Sequence, residues 1–97
     1  KYIPDPGYLS DKTRDKCVKD ALTLCNALGY DMNTVEFAVK DGIPYAIDFM
    51  NPAPDMDIYS LTPSYFEWVV EHMADMAIKM ALAPRPTSPV GATFAAR

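Results

Sequence analysis

The sequence predicts an α+β fold in the order helix, antiparallel β-hairpin, helix. Three observations predict it. An apolar stripe at helical spacing runs up to Gly29, apolar residues alternate with small or polar ones on both sides of Asp41-Gly42, and a second helical stripe opens on Thr62-Pro63 and stops before Pro84. With 97 residues the chain has room for one small domain and a modest core.

Residues 1–9 hold two prolines and a glycine and read as an extended lead-in. The first helix starts near Ser10 to Thr13. Cys17, Ala21, Leu24, Cys25 and Leu28 then make one apolar face, and Gly29 supplies the left-handed residue that ends many helices. In the hairpin, Val35, Phe37 and Val39 alternate with Thr34, Glu36, Ala38 and Lys40. Ile43, Tyr45, Ile47 and Phe49 alternate with Pro44, Ala46 and Asp48. Residues paired across a hairpin share a face, so odd positions are expected to pair with odd. A three-residue loop, Lys40-Asp41-Gly42, meets that condition by pairing Val39 with Ile43 and puts Gly42 where a positive φ is needed. Glu36 then faces Ala46 and Asp48 faces Thr34, leaving the two carboxylates as diagonal neighbours about 7–8 Å apart at the backbone.

A loop rich in Pro and Asp is expected over Asn51 to Leu61. Thr62 then reads as an N-cap and Pro63 as a first-turn proline. Phe66, Val69, Val70, Met73, Met76, Ala77 and Met80 repeat at helical spacing to about Ala83. The body of the fold is therefore 10–83, with a flexible tail over 84–97. The two helices are expected to cover the odd face of the hairpin. Tyr45, the stripe Met73, Met76 and Met80, and both cysteines are expected in the core.

Composition narrows the function. A formal net charge of −4 argues against a nucleic-acid partner. Cys17 and Cys25 lie on one helix about 12 Å apart along its axis, too far for a disulfide between them. His72 is the only histidine, so no Cys/His metal cluster forms. No signal peptide is visible and no apolar run reaches the about 20 residues of a membrane span, which makes a cytoplasmic protein with no membrane partner the default. The first residue, Lys1, and the Pro/Ala-rich end lead us to expect a piece of a longer protein.

Glu36 and Asp48 are the leading site candidates, with Asn51 beside them. Magnesium takes hard oxygen ligands and usually binds through one or two carboxylates plus phosphates. Two acids on one sheet face repel unless a cation joins them. The plainer alternative is that both acids solvate an exposed face. Lys12, Arg14 and Lys16 read as a solvated helix end that could reach phosphate, Asp55 and Asp57 as a polar loop, and His72 as a surface residue.

The ordered set Gly29 to Val39, Asp41-Gly42, and Ala46-Ile47-Asp48-Phe49-Met50-Asn51-Pro52-Ala53-Pro54 resembles the end of an ATP-grasp domain. It is similar to the glutathione synthetase/RimK-type branch and to D-alanine–D-alanine ligase, which Ser60-Leu61 and Pro63 also resemble. The resemblance covers about Ser10 to Ala83. It implies that Glu36 is the first acid, Asp48 the second and Asn51 the asparagine that hold magnesium against the ATP phosphates. The family has one residue between the second acid and the asparagine, whereas Phe49 and Met50 both intervene here. Either a bulge at the strand end restores Asn51, or Met50 stands at the ligand position. Some relatives carry an arginine where this chain has Thr34. The implied parent is an ATP-dependent carboxylate–amine ligase working through an acyl phosphate, with ATP, a small carboxylate and an amine as substrates and a homo-oligomer left open. This fragment alone is expected to be inactive. The alternative is a small non-catalytic α+β binding or regulatory module that meets a basic partner through Asp55 to Asp57.

Overall fold

Ser10 begins the ordered helical structure. Its backbone is extended, its hydroxyl oxygen accepts from the Thr13 N–H at 3.2 Å, and the helix follows at once. The structure, a computed structural model, describes residues 2–84, so the expected tail lies outside the described residues except for Pro84. The elements are α1 (Asp11–Leu28), β1 (Thr34–Lys40), β2 (Ile43–Asn51), α2 (Ile58–Leu61) and α3 (Pro63–Leu82). The order helix, two-stranded antiparallel hairpin, helices is the α+β arrangement expected. The described chain divides into two units, 5–54 and 2–4 with 55–84.

In the first unit, α1 ends where Gly29 turns left-handed (φ 78°) and the Tyr30 N–H closes onto the Cys25 carbonyl at 2.9 Å. The lead-in contains a turn in which the Tyr8 N–H reaches the Asp5 carbonyl. The hairpin departs from the expected register. Asp41 and Gly42 both have positive φ (54° and 73°), which is the two-residue turn whose twist suits paired strands. Aspartate is one of the few residues other than glycine that visit that conformation. Lys40 therefore pairs with Ile43, Val39 with Pro44, Ala38 with Tyr45 and Phe37 with Ala46. The three-residue loop and the odd-with-odd pairing are corrected by this turn.

The correction reassigns the faces. Phe37, Pro44 and Ala46 line one shallow cleft with Asp20, Thr23 and Leu24 of α1, which packs on β2. Ile43 and Tyr45 fall on the opposite face, and Tyr45 is 51% exposed rather than in a core. Among the described residues no hydrophobic side chain is buried, and the one buried residue is Thr13. Cys17 and Cys25 are free thiols and half-buried.

In the second unit, α2 is a short helix where a loop was expected. Asp57 caps it, its carboxylate accepting from the Ser60 N–H at 2.7 Å. Thr62 ends α2 and precedes α3 with φ 73° and ψ 157°, a region that suits glycine, and its side chain makes no capping bond. Thr62 is the N-cap residue of α3 as expected, its carbonyl accepting from the Phe66 N–H at 3.0 Å, but its hydroxyl adds no capping bond; Pro63 opens α3 as expected. The methionine stripe is corrected. Met76 is half-buried, but Met73 is 39% and Met80 51% exposed, because α2 alone packs on α3 within this unit.

Candidate metal centre

β1 and β2 pair regularly from the turn as far as Phe37↔Ala46. Continuing that pairing one step sets Glu36 opposite Ile47 and sends Asp48 to the face covered by α1. The register shifts there instead, and Ile47 becomes an extra residue on β2, leaving Glu36 opposite Asp48. A second shift follows, so that Thr34 pairs with Asn51 rather than with Phe49 or Met50. β1 runs through both shifts without an inserted residue, so Thr34 and Glu36 stay on one face. Their partners Asp48 and Asn51 share it. Burial follows the first change of phase: Pro44 is half-buried near the turn, whereas beyond the first bulge Phe49 is half-buried and Asp48 exposed.

The sequence-expected residues thus meet in a different arrangement. Glu36 faces Asp48, not Ala46, and Asp48 does not face Thr34. The carboxylates are direct cross-strand partners instead of diagonal ones. Both are exposed, and among the described residues neither has an ion-pair or side-chain hydrogen-bond partner. Asn51, not Met50, lies opposite β1 next to them.

Sequence reasoning missed the residue that holds this end together. The Asn33 amide donates from Nδ2 to the Phe49 carbonyl at 2.7 Å and accepts at Oδ1 from the Asn51 N–H at 2.8 Å. These two backbone groups flank Met50, so one side chain satisfies both sides of the second bulge. The Nδ2 group also reaches Cys25 Sγ at 3.7 Å, tying the clamp to α1. An asparagine just before a strand carries no spacing signal for such a role. The neighbouring Thr34 Oγ1 is buried and without a hydrogen-bond partner.

Magnesium suits the donor set. Two carboxylates and an amide oxygen are hard ligands of the kind magnesium takes. No three His, Cys, Asp or Glu side chains gather closely enough among the described residues to hold a metal by themselves. Two carboxylates with phosphates completing the shell is the usual magnesium arrangement in nucleotide enzymes.

Lys12 is exposed, and most of the other candidates have local partners. Arg14 pairs with Asp11 at 3.3 Å and Asp15 at 3.4 Å, and Lys16 with Asp20 at 2.9 Å, so carboxylates of the same helix match these charges. Asp55 accepts from the Ser60 hydroxyl at 2.8 Å. The Ser60 N–H holds the Asp57 carboxyl below its ordinary pKa, against a smaller opposing effect of desolvation. His72 stacks on Trp68 and bonds its carbonyl through Nδ1. No helix among the described residues is long and apolar enough to cross a membrane. No family model, curated protein or solved structure matches the chain.

Proposed function

We propose that this chain supplies the magnesium-binding residues of an ATP-dependent carboxylate–amine ligase of the ATP-grasp type. The observation that carries the proposal is the direct opposition of Glu36 and Asp48, unpaired and exposed, with Asn51 brought beside them by a second register shift. The resemblance of Gly29 to Val39 and Ala46 to Pro54 to the ATP-grasp end supplies the reaction class.

Glu36 and Asp48 offer carboxylate oxygens and Asn51 an amide oxygen on one face of the hairpin. Magnesium, when bound, neutralises phosphate charge and orients the transferred group. The paired carboxylates hold their own negative charge at a fixed place, which sets where the cation, and hence the phosphates of ATP, can sit. ATP activates the substrate carboxylate as an acyl phosphate with release of ADP, and the amine displaces phosphate. None of these steps needs a nucleophile from this chain.

The test is ADP release by the longer parent protein with magnesium and a panel of amine and amino-acid acceptors, beside the double substitution Glu36→Gln, Asp48→Asn. Acceptor-dependent ADP release that falls by about 100-fold or more, as removal of several kcal/mol of charge stabilisation requires, is the expected result. Full activity in the double variant overturns the assignment. A second reading, a non-catalytic α+β binding or regulatory module, draws on exposed apolar side chains such as Ile47 at 64% and Trp68 at 57%. It predicts no ADP release with any acceptor.

A further inference from the structure

We infer that Asn33 is a positioning residue for the metal centre, setting where Asn51 stands relative to Glu36 and Asp48; this rests on the magnesium reading above. Three residues of β2 span from Asp48 to Asn51 where β1 uses two, from Glu36 to Thr34. The surplus backbone has lost its regular ladder partners, and unpaired peptide groups are expensive unless something else bonds them. Asn33 does so with both ends of one amide: Nδ2 to the Phe49 carbonyl and Oδ1 to the Asn51 N–H. Its orientation is not free to flip, because a reversed amide would set donor against donor and acceptor against acceptor. A single rigid group therefore fixes the backbone on either side of Met50, just before the amide ligand. Without it, Asn51 loses the hydrogen bond that holds its backbone at the Thr34 position, and the strand can relax so that Met50, which offers no hard oxygen, moves toward the site.

Asn33 touches neither metal nor substrate in this scheme. It acts through Asn51, and that dependence makes it testable. The probe is Mn2+ as a stand-in for magnesium, read as site-selective broadening of backbone amide resonances in the full 97-residue chain. Four proteins are compared: wild type, Asn33→Ala, Asn51→Ala and the double variant. Hydrogen exchange at Asn51, Lys40 and Ile43 is measured on each.

The expected result is that Asn33→Ala weakens Mn2+ binding about tenfold or more, the range typical of groups that orient a ligand. Protection at Asn51 falls while that at Lys40 and Ile43 stays. The double variant binds no more weakly than Asn51→Ala alone, because the two residues act as one unit. Additive losses in the double variant, unchanged binding by Asn33→Ala, or full protection of its Asn51 N–H overturns the inference and leaves the metal reading intact. Absence of Mn2+ binding by the wild-type chain defeats the metal reading, and Asn33's role in it, whatever the exchange rates.

Discussion

The two ends of one hairpin behave differently. At the turn end, four successive residue pairs follow the register that Asp41 and Gly42 impose, and backbone ladder bonds suffice. At the far end, two register shifts insert extra residues on β2, two carboxylates face each other, and a side chain from outside the sheet replaces missing ladder bonds. The turn decides which residues pair, but its register alone would part Glu36 from Asp48. The first bulge reverses the phase of β2 and brings the acids together, and the second does the same for Asn51. Regularity at one end positions the strands, and irregularity at the other brings Glu36, Asp48 and Asn51 to neighbouring cross-strand positions.

Gly42→Val should separate the two ends most sharply. Gly42 sits at φ 73°, where a side chain costs about 1–2 kcal/mol and a β-branched one more. Hydrogen exchange should show protection lost at Lys40 and Ile43, with the Asn51 N–H less affected because Asn33 holds it. Equal loss at both ends would mean that the bulged end has no hold of its own.

Thr34→Val acts on the other end and with the opposite sign. It removes a buried hydroxyl oxygen that has no partner and keeps the branched shape that suits a strand. We expect a gain of about 1 kcal/mol, read from exchange at β1 and β2. A loss of stability would show that the hydroxyl has a partner in solution.

Glu36→Gln is the smallest change and tests the electrostatics. Without metal it relieves the repulsion between directly opposed acids and should stabilise the far end by a few tenths of a kcal/mol. With saturating magnesium the sign should reverse, because the wild type gains a bound cation that binds the variant less well. A variant destabilised to the same extent in both conditions would argue that Glu36 serves packing and not a cation.

Much of this was legible in the sequence, and the misses share a cause. Ser10, Gly29 and Pro63 mark helix ends through local chemistry that no distant contact alters. The identity of the two strands follows from alternation that is just as local. The register does not: Asp-Gly is itself a two-residue turn signal, and the expectation that odd positions pair with odd overrode it. Assuming that all odd positions share a face required a core to cover them. Tyr45, Met73 and Met80 are instead exposed in a chain whose described residues bury no hydrophobic side chain. That Glu36, Asp48 and Asn51 would lie near one another on the hairpin was readable, and a bulge was one of two ways to align Asn51. The Asn33 clamp was not identifiable, since it joins residues 16 and 18 positions apart through a single amide. α2 was missed because Asp57 and Ser60 read equally well as a polar loop.

The most direct test of the central claim uses the hairpin as its own control. Asp41 is an exposed carboxylate at the turn end, while Glu36 and Asp48 oppose each other at the far end. Mn2+ added to the isotope-labelled chain should broaden the amides of residues 34–36 and 48–51 at concentrations that leave 40–43 untouched, and excess magnesium should reverse the effect. Broadening that is equal at Asp41, or that magnesium does not compete away, would contradict the assignment of this end of the hairpin as a metal centre.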